Sequence, residues 1–501
     1  MKTLVRKSWR WFMPLTAAAF ALRLWFIFRL PTIAGDSFFY GALAKNWLQH
    51  GIVGITEAAG VRPSLIRLPG YPGFIAAIWA VTGTDHYRAV LLAQMFVDVA
   101  ACFVIADLAR RSLVSSQAGK IAFLLAALCP FTANYVACAL AETLAIFFTV
   151  LALDWGVMAL ESGRLWQFAL CGAAIGAAIL MRPDDGLLLP AIAGCCLVLY
   201  ARRRNRPTSP NSAFDAAASV WLTRAATLTL VAVAPLVPWT IRNWVDFHRF
   251  QPLAPRYAND PEQFVSPGFQ RWTKTWMAEY VSVSEVYWAL DESPLEIDKL
   301  PRRAFDTLEE YQRTQAAFAA HNIELTMTPA IDRQFSKLAQ ERIQRHPLRY
   351  YVWLPALRVA DMWLRPRTEM LGVEDHWWQR WRGAYDWNIN LAFGLLNLLY
   401  IGLAASAFVI ALRRSGRFHR NPGAAVRVLP RYWGILLAFV VIRSLFLGSL
   451  ENPETRYTLE CYPVLMVLGA ATLARTRPSS QESQRAETPP ESERVACARP
   501  S

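Results

Sequence analysis

The chain has 501 residues, of which 54% are hydrophobic and only 18% charged, and its mean hydropathy is +0.22. This composition excludes a single ordinary soluble domain and indicates that a lipid bilayer surrounds much of the chain. The net charge of +14 raises the question of nucleic acid. However, the basic clusters follow hydrophobic segments, where cytoplasmic retention signals belong. We therefore expect a membrane protein and no nucleic-acid partner.

Ten hydrophobic segments approach the length that a helix needs to cross the hydrocarbon layer. They lie at residues 12–31, 87–109, 119–135, 137–159, 165–181, 185–201, 222–241, 388–412, 431–449 and 457–474. The first follows a basic stretch and could be a signal peptide, but its length and its internal Arg23 favour a retained helix. The pattern predicts an all-α polytopic membrane protein with about ten transmembrane helices.

Charge between the segments predicts their orientation. The loops near 110–120, 160–165, 202–220 and 413–430 are basic and therefore cytoplasmic, together with both termini. The loops near 32–86, 129–137, 182–185, 242–387 and 450–456 then lie outside. This arrangement predicts that the surface that carries the candidate functional residues faces the extracytoplasmic side.

Four regions follow from this topology. Residues 1–241 form an N-terminal membrane module, whose first outer loop, 32–86, carries juxtamembrane helices. Residues 242–387 form a larger, mostly helical outer loop, 388–474 form C-terminal transmembrane helices, and 475–501 form a disordered cytoplasmic tail, since that stretch is polar and aperiodic.

Short segments of the outer loops are predicted to lie along the membrane. Apolar residues recur at helical spacing from Ile331 to Ile343, which predicts an amphipathic helix lying on the membrane-embedded part. Residues 350–364 contain Arg358 and Asp361 among flanking tryptophans, so we interpret them as interfacial. The segment 70–81 is also short for a span.

Polar residues collect at or just beyond the outer ends of the predicted spans. They are Asp36, Tyr40, Arg62, Arg67, Glu142, Arg182, Asp184, Asp185, Arg242, Glu451, Glu454 and Arg456. A site between them is one interpretation, and ordinary solvated loop charges are the other. The sequence has no glycine-rich phosphate loop, no G-x-S-x-G, no H-E-x-x-H and no C-x-x-C motif. Nucleotide-driven and zinc-protease chemistry are therefore not supported.

Asp36 and Arg67 each allow two interpretations. Asp36 could cap a helix that runs through Tyr40, or it could act as a general base towards an acceptor. Arg67 precedes Leu68-Pro69-Gly70-Tyr71-Pro72, a rigid turn that would hold the guanidinium either as a membrane-surface anchor or against a phosphate.

The remaining candidates lie near later spans. Glu142 is close to hydrocarbon, so it is either a partner of Arg182 or a member of the site. Arg182 begins a tight turn whose two acids could also bind a metal, although one pair does not make a site. Arg456 and Tyr457 are at headgroup level, where Arg456 could contact a phosphate or pair with Glu454 or Glu460.

These motifs together resemble bacterial members of the GT-C glycosyltransferase class, in particular the protein O-mannosyltransferase-like and aminoarabinose-transferase-like families. The resemblance rests on Asp36-Ser37-x-x-Tyr40, Leu43-Ala44-x-Asn46, Arg67-x-Pro69-Gly70-Tyr71-Pro72, Ala141-Glu142-Thr143-Leu144, Arg182-Pro183 and Arg456-Tyr457-x-Leu459. They occur in this order along nearly the whole chain. Many relatives have Asp-Glu where this chain has Asp36-Ser37, which leaves any metal contact by that second acid in doubt here.

The resemblance implies a sugar transfer from a polyprenyl-phosphate-linked donor to an envelope acceptor, with inversion, at the outer face of the bacterial cytoplasmic membrane. Asp36 matches the aspartate that activates the acceptor, and Glu142 is the candidate for a second acid. Arg67 and Arg456 match the arginines that bind the donor phosphate, with Arg182 and Arg242 as weaker candidates. Tyr40, Tyr71 and Tyr457 complete the implied substrate-binding set. The resemblance implies no particular cofactor, and it leaves open whether the protein requires a divalent metal.

Two other functions remain in competition at this stage. A multi-pass transporter or lipid flippase is suggested by Arg23 within a span and by the charged span ends. A non-enzymatic scaffold for envelope assembly is the third. The sugar, the acceptor and the polyprenol length have no signature in the sequence.

Overall fold

The computed structural model describes residues 2–204, 212–261, 263–291, 293–418 and 432–474. The tail 475–501 and most of the basic loop 413–430, for which predictions were made, lie outside these ranges. The helices are α1 (Lys2–Lys7), α2 (Trp9–Arg29), α3 (Asp36–His50), α4 (Gly70–Thr82), α5 (Tyr87–Leu113), α6 (Ser116–Ala127), α7 (Pro130–Val136), α8 (Glu142–Ser162), α9 (Leu165–Met181), α10 (Leu188–Arg204), α11 (Ser212–Val233), α12 (Leu236–Phe247), α13 (Pro267–Thr273), α14 (Tyr280–Ser282), α15 (Leu308–Glu324), α16 (Pro329–Arg345), α17 (Leu354–Leu364), α18 (Ala384–Phe418), α19 (Trp433–Gly448) and α20 (Tyr462–Leu473). The predicted all-α class is confirmed.

Helices occupy all ten places where spans were predicted. Within the described ranges, five helical segments are long and apolar enough to cross a bilayer, and the count reaches seven if each of two bent pairs is one span. The pairs are α6 with α7, bent by 52°, and α11 with α12, bent by 43°. Helices α4, α9 and α19 are apolar but shorter. The number of ten spans stays a prediction.

One predicted connector is helical instead. Residues 129–137 were expected to be an outer loop, but α7 fills most of this stretch. Cys129 is extended, and Pro130 takes the first helical position, where its missing N–H costs no hydrogen bond. The chain therefore bends at Cys129 and starts a new helix.

The first outer loop contains the expected helices, α3 and α4, and a hairpin that was not predicted from the sequence. Strands β1 (Gly54–Glu57) and β2 (Gly60–Pro63) pair antiparallel, with Gly54 opposite Pro63. Their two-residue turn is Ala58-Ala59, which lacks the Asn-Gly or Asp-Gly signal of a tight hairpin. Gly60 follows it at φ 122°, a conformation that favours glycine.

The large outer loop has a hydrophobic core of its own. Phe269 and Trp272 of α13 pack with Phe335 and Leu338 of α16 in this core. Helix α16 confirms the predicted amphipathic helix. Its apolar face covers α13, however, and not the membrane-embedded part, because the aromatic residues of α13 supply the apolar surface it needs.

The segment predicted as interfacial forms a short π-helix, Arg349–Trp353, followed by α17. Arg358 is fully buried and donates to the carbonyls of Lys274 at 2.5 Å and Met277 at 2.9 Å. Asp361 accepts the backbone N–H of Tyr280 at 3.1 Å. Both charged residues thus join α17 to the outer loop. Its position relative to the bilayer stays a prediction.

A charged side chain inside a predicted span, such as Arg23, needs either an internal partner or a place on an anion path. Its guanidinium is fully buried, forms an ion pair with Asp98 of α5 at 2.7 Å and donates to the carbonyl of Ala126 at 3.1 Å. A further hydrogen bond goes to the carbonyl of Ala127. Arg23 therefore joins α2 to α5 and α6 as a structural residue.

Candidate active site

A cavity of about 580 Å³ opens where α3, α8 and α9 meet the outer loops. Its lining combines acids, arginines and aromatic rings: Asp36, Tyr40, Ile66, Arg67, Leu68, Leu140, Ala141, Glu142, Met181, Arg182, Pro183, Asp184, Ala254, Pro255, Arg256, Tyr257, Ala258, Tyr287, Trp288, Phe446, Leu450, Glu451, Asn452, Glu454, Arg456 and Tyr457. Seven of the nine residues predicted for the site are in this lining. A concave surface with a few convergent polar groups is the usual form of a ligand site.

Asp36 is the first residue of α3, directly after Gly35 at φ 52°. It therefore follows the cap position, and its carboxylate turns to the cavity. Oδ1 accepts a hydrogen bond from Nη2 of Arg67 at 2.7 Å, and Oδ2 is 3.6 Å from Nη2 of Arg456. Burial alone would raise the pKa of Asp36, but Arg67 and then Arg456 outweigh it and hold the pKa below its usual value. The free protein thus carries a charged carboxylate between two guanidinium groups.

Gly70 explains how Arg67 comes to this place. A Cβ at Gly70 would meet the backbone carbonyl oxygen of Leu180 at 2.5 Å, so α4 can approach the end of α9 this closely only with glycine. Arg67 lies just before α4 and Arg182 just after α9. The close contact of the two backbones therefore brings both arginines to one cavity.

Glu142 is buried at the first position of α8. Its Oε1 accepts from Nη1 of Arg182 at 2.9 Å and is 3.5 Å from Nη1 of Arg456. The two interpretations of Glu142, as partner of Arg182 and as member of the cavity wall, are therefore compatible.

Arg456 and Tyr457 belong to a 3-10 helix, Thr455–Cys461. Of its two expected partners, Arg456 takes Glu454, to which its Nε donates. Arg182 stacks over the ring of Tyr457, with 4.8 Å between the guanidinium carbon and the ring centroid. A phosphate entering this corner would find two guanidinium groups, which bind phosphate through parallel hydrogen bonds.

Behind the cavity, Arg443 of α19 supports both arginine-bearing turns. It is fully buried and donates to Asp184 at 2.6 Å, to Asp185 at 2.9 Å and to the carbonyl of Tyr457 at 3.0 Å. Glu460 completes the group, 3.1 Å from Arg443. Arg443 was not among the predicted site residues, although a charge inside a predicted span was the signal that could have found it.

Two predicted residues lie outside the lining. The hydroxyl of Tyr71 donates to Gln94 at 2.6 Å, and its ring packs edge-on against Tyr40 at 4.9 Å. Arg242 donates to the carbonyls of Val53 at 2.7 Å and Ser64 at 2.9 Å. Both therefore hold the walls of the first outer loop in place.

The outer loop adds residues that no motif marked. Arg256 and Tyr257 come from the irregular segment after α12, and Tyr287 and Trp288 from the short π-helix and 3-10 helix that follow α14. No periodicity or spacing in the sequence distinguishes them from other loop residues. Only the fold brings them to the cavity.

A divalent metal does not fit this arrangement well. In the part of the chain that the structure describes, no group of three or more His, Cys, Asp or Glu side chains could hold a metal ion. The acids of the lining instead contact arginines, as Asp36, Glu142 and Glu454 do. We therefore assign no chemical step to a metal.

The chain is similar to known proteins in part of its sequence and in its fold. Residues 63–239 match the family profile of dolichyl-phosphate-mannose-protein mannosyltransferases. The archaeal oligosaccharyltransferase AglB from Archaeoglobus fulgidus, solved with an inhibitory peptide and a dolichol-phosphate, is similar in structure with a TM-score of 0.51 and 12% identity. That match covers 99% of this chain but 53% of AglB, so the chain spans about half the length of that relative.

A weaker likeness extends to ArnT from Cupriavidus metallidurans bound to undecaprenyl phosphate. Its TM-score is 0.39 at 14% identity, covering 97% of this chain and 82% of ArnT. No curated protein sequence matches the chain. The fold of the chain is that of the GT-C class of membrane glycosyltransferases.

Proposed function

We propose that the chain transfers a sugar from a polyprenyl-phosphate-linked donor to an envelope acceptor, with inversion, at the outer face of the bacterial cytoplasmic membrane. The observation that carries the proposal is Asp36 between Arg67 and Arg456 in an open cavity. The family match over residues 63–239 and the dolichol-phosphate in the AglB structure support a lipid-linked donor. The expected topology supports the outer face.

The charges of the cavity fit a phosphate leaving group. Arg67 and Arg456 would hold the donor phosphate and stabilise the negative charge that grows on it as the bond from the anomeric carbon breaks. Glu142, by its contact with both Arg182 and Arg456, keeps two guanidinium groups in one place.

Asp36 would act from the other side of the sugar. A phosphate that takes up hydrogen bonds of Arg67 and Arg456 withdraws them from Asp36, and the carboxylate becomes more basic as it loses its partners. It can then accept the proton of the acceptor group, whose oxygen or nitrogen forms the new bond to the anomeric carbon while polyprenyl phosphate leaves. Displacement in line inverts the configuration.

Asp36→Asn tests this function. The substitution keeps the shape but removes the base, so transfer should fall by about 10²- to 10⁴-fold. The readout is mass spectrometry of envelope glycans and lipids from a deletion strain complemented with each variant, with the amount of protein in the membrane measured alongside. Asp85→Asn is the matched control, because Asp85 is an exposed acid of the same outer loop that pairs with Lys45 at 2.7 Å. Full activity of Asp36→Asn would refute the assignment of the base.

Transport is the competing function. Arg23, the residue that suggested it, is neutralised by Asp98 and does not open to the cavity. Uptake of a lipid-linked sugar into vesicles without any glycosylated product would favour transport over transfer.

A further inference from the structure

Acids and arginines of the cavity and of the region behind it form one connected ion network, in which every member is within 4 Å of an oppositely charged one. Its arginines are Arg67, Arg182, Arg443 and Arg456, and its acids are Asp36, Glu142, Asp184, Asp185, Glu454 and Glu460. Among the described residues, no other Lys or Arg lies within 4 Å of these acids. Six carboxyl groups therefore share four guanidinium groups.

Charged residues next to the ion network do not correct this imbalance. Arg256, the remaining arginine of the cavity lining, is 3.1 Å from Glu451. Arg367 donates to the carbonyl of Thr455 at 2.9 Å, but Glu369, two residues further along the chain, adds an acid. Each of these two groups brings one charge of either sign, so the excess of acids over arginines remains.

Asp185 and Glu460 are the two acids of the ion network whose side chains are fully buried. Oδ1 of Asp185 accepts a hydrogen bond from Nη1 of Arg443 at 2.9 Å, whereas its Oδ2 has no hydrogen-bond partner among the described residues. Glu460 is 3.1 Å from Nη2 of Arg443 and 3.3 Å from Nε of Arg182, yet neither of its oxygens has a hydrogen-bond partner in the same part of the chain. Both carboxyl groups thus lie against one guanidinium group, and three of their oxygens lack a donor.

The two arginines near this pair are shared with other acids. Arg182 is 2.9 Å from Glu142 and 3.3 Å from Asp184, and Arg443 is 2.6 Å from Asp184. The titratable and charged groups that surround the pair are Glu142 of α8, Arg182 and Asp184 at the end of α9, Arg443 of α19, and Tyr457 and Cys461 of the 3-10 helix. Burying a carboxylate without a cation of its own is costly, and a carboxyl group avoids this cost by binding a proton. A proton on either acid also supplies a donor where the buried oxygens have none.

We propose that Asp185 and Glu460 together hold one proton, taken up from the solvent, and that binding of the donor phosphate favours this protonated form. The assignment rests on the proposed function, since Arg67 and Arg456, which would hold the donor phosphate, belong to the ion network. Phosphate adds negative charge to a network that already has an excess of acids. The two equilibria are therefore linked: protonation of the pair strengthens phosphate binding, and bound phosphate strengthens protonation by the same factor.

Calorimetry of the full chain in phosphatidylcholine nanodiscs tests this coupling, with heats from empty nanodiscs subtracted. The probe is methyl citronellyl phosphate, a short prenyl phosphodiester whose single charge does not change between pH 6 and pH 9. Heats of binding in two buffers of different ionisation enthalpy give the number of protons taken up. Wild type should take up protons and should bind the probe about tenfold more weakly at pH 9 than at pH 6.

Asp185→Asn imitates the protonated pair. It should therefore bind the probe at pH 9 about as tightly as wild type does at pH 6, without proton uptake, a gain that a misfolded protein would not show. Glu460→Gln should behave in the same way, because the two acids share the proton. Asp154→Asn is the matched control, since Asp154 is a buried acid of α8 that pairs with Arg111 at 3.3 Å and does not belong to the ion network. It should keep the pH dependence of wild type.

The outcomes separate the proton site from the proposed function. If wild type does not bind the probe at any pH, the donor site fails and the coupling fails with it. If wild type binds the probe without proton uptake, only the coupling is overturned. Proton uptake that persists in Asp185→Asn and Glu460→Gln but is lost in Asp36→Asn would place the proton on the general base and overturn the assignment to the pair. Uptake that is lost in the two pair variants and kept in Asp36→Asn and Asp154→Asn supports it.

Discussion

Arg443 donates a hydrogen bond to Asp185 across 258 positions of the chain, at 2.9 Å, and both side chains are fully buried. The pair joins α19 to the turn after α9 that carries Arg182. Asp184 of the same turn accepts a second hydrogen bond, and through the carbonyl of Tyr457 the guanidinium also holds the 3-10 helix that carries Arg456. Arg443 is therefore a positioning residue behind the site.

Replacing Arg443 should destabilise the protein strongly. Arg443→Met removes the cation and leaves Asp184, Asp185 and Glu460 without it, which costs about 3–5 kcal/mol for a broken buried pair. Thermal unfolding in detergent measures the loss. Adding Asp185→Asn should recover part of the stability, because one of the uncompensated acids is then neutral. A melting temperature unchanged by Arg443→Met would contradict the structural role.

Gly70 should not tolerate even one methyl group. In Gly70→Ala, the Cβ would meet the carbonyl oxygen of Leu180 at 2.5 Å, so α4 must move away from α9. We expect a loss of about 1–3 kcal/mol and reduced transfer, since Arg67 moves with α4. Gly194→Ala in α10 is the control, because nothing lies within 4 Å of a Cβ there. Equal melting temperatures for the two variants would count against the close contact.

The resemblance to GT-C enzymes predicted most of the charged residues that line the cavity, because they belong to short motifs. These residues are Asp36, Arg67, Glu142, Arg182 and Arg456. The structure adds their contacts, which the spacing in sequence does not give. For example, Arg67 contacts Asp36 from 31 positions away, and Arg182 contacts Glu142 from 40.

Other parts could not be predicted because their cause is tertiary. The turn between β1 and β2 consists of two alanines, and alanine has no preference for turns. Arg256 reaches the cavity only because the outer loop folds back over it, and α16 lies on α13 because of aromatic residues about sixty positions earlier in the chain. The local pattern predicted α16 but not the helix on which it lies.

The ion pairs of Asp36 predict a pH dependence of stability. The folded-state pKa of Asp36 is below the ordinary value of about 3.9, so its pairs with Arg67 and Arg456 stabilise the fold above that value and are lost as the pH falls through the folded pKa. Asp36 is one-third exposed, so Asp36→Asn should cost only about 1 kcal/mol at pH 7.

Melting temperatures of wild type and Asp36→Asn between pH 7 and pH 3 test this. The difference should persist at pH 5 and disappear only below the ordinary pKa of a carboxyl group, about 3.9. A difference that vanished already between pH 6 and pH 5 would mean that burial, and not the two arginines, dominates at Asp36.

Glu142→Gln should lower kcat more than it weakens binding of the donor. Its carboxylate fixes Arg182 and Arg456 together, so Glu142→Gln leaves both cations present but less well placed for the charge that develops on the leaving phosphate. We expect kcat to fall about tenfold while KM for the donor does not rise. Arg67→Gln removes a phosphate contact and should raise KM instead.

A double-mutant cycle separates this role from simple loss of structure. If Glu142 acts through Arg456, the effect of Glu142→Gln on kcat should shrink once Arg456 is already glutamine, because the contact at 3.5 Å is then gone in both variants. Effects that add without coupling would show that Glu142 does not act through Arg456. Its role would then depend on the contact with Arg182 at 2.9 Å, and the same cycle with Arg182→Gln should show the coupling.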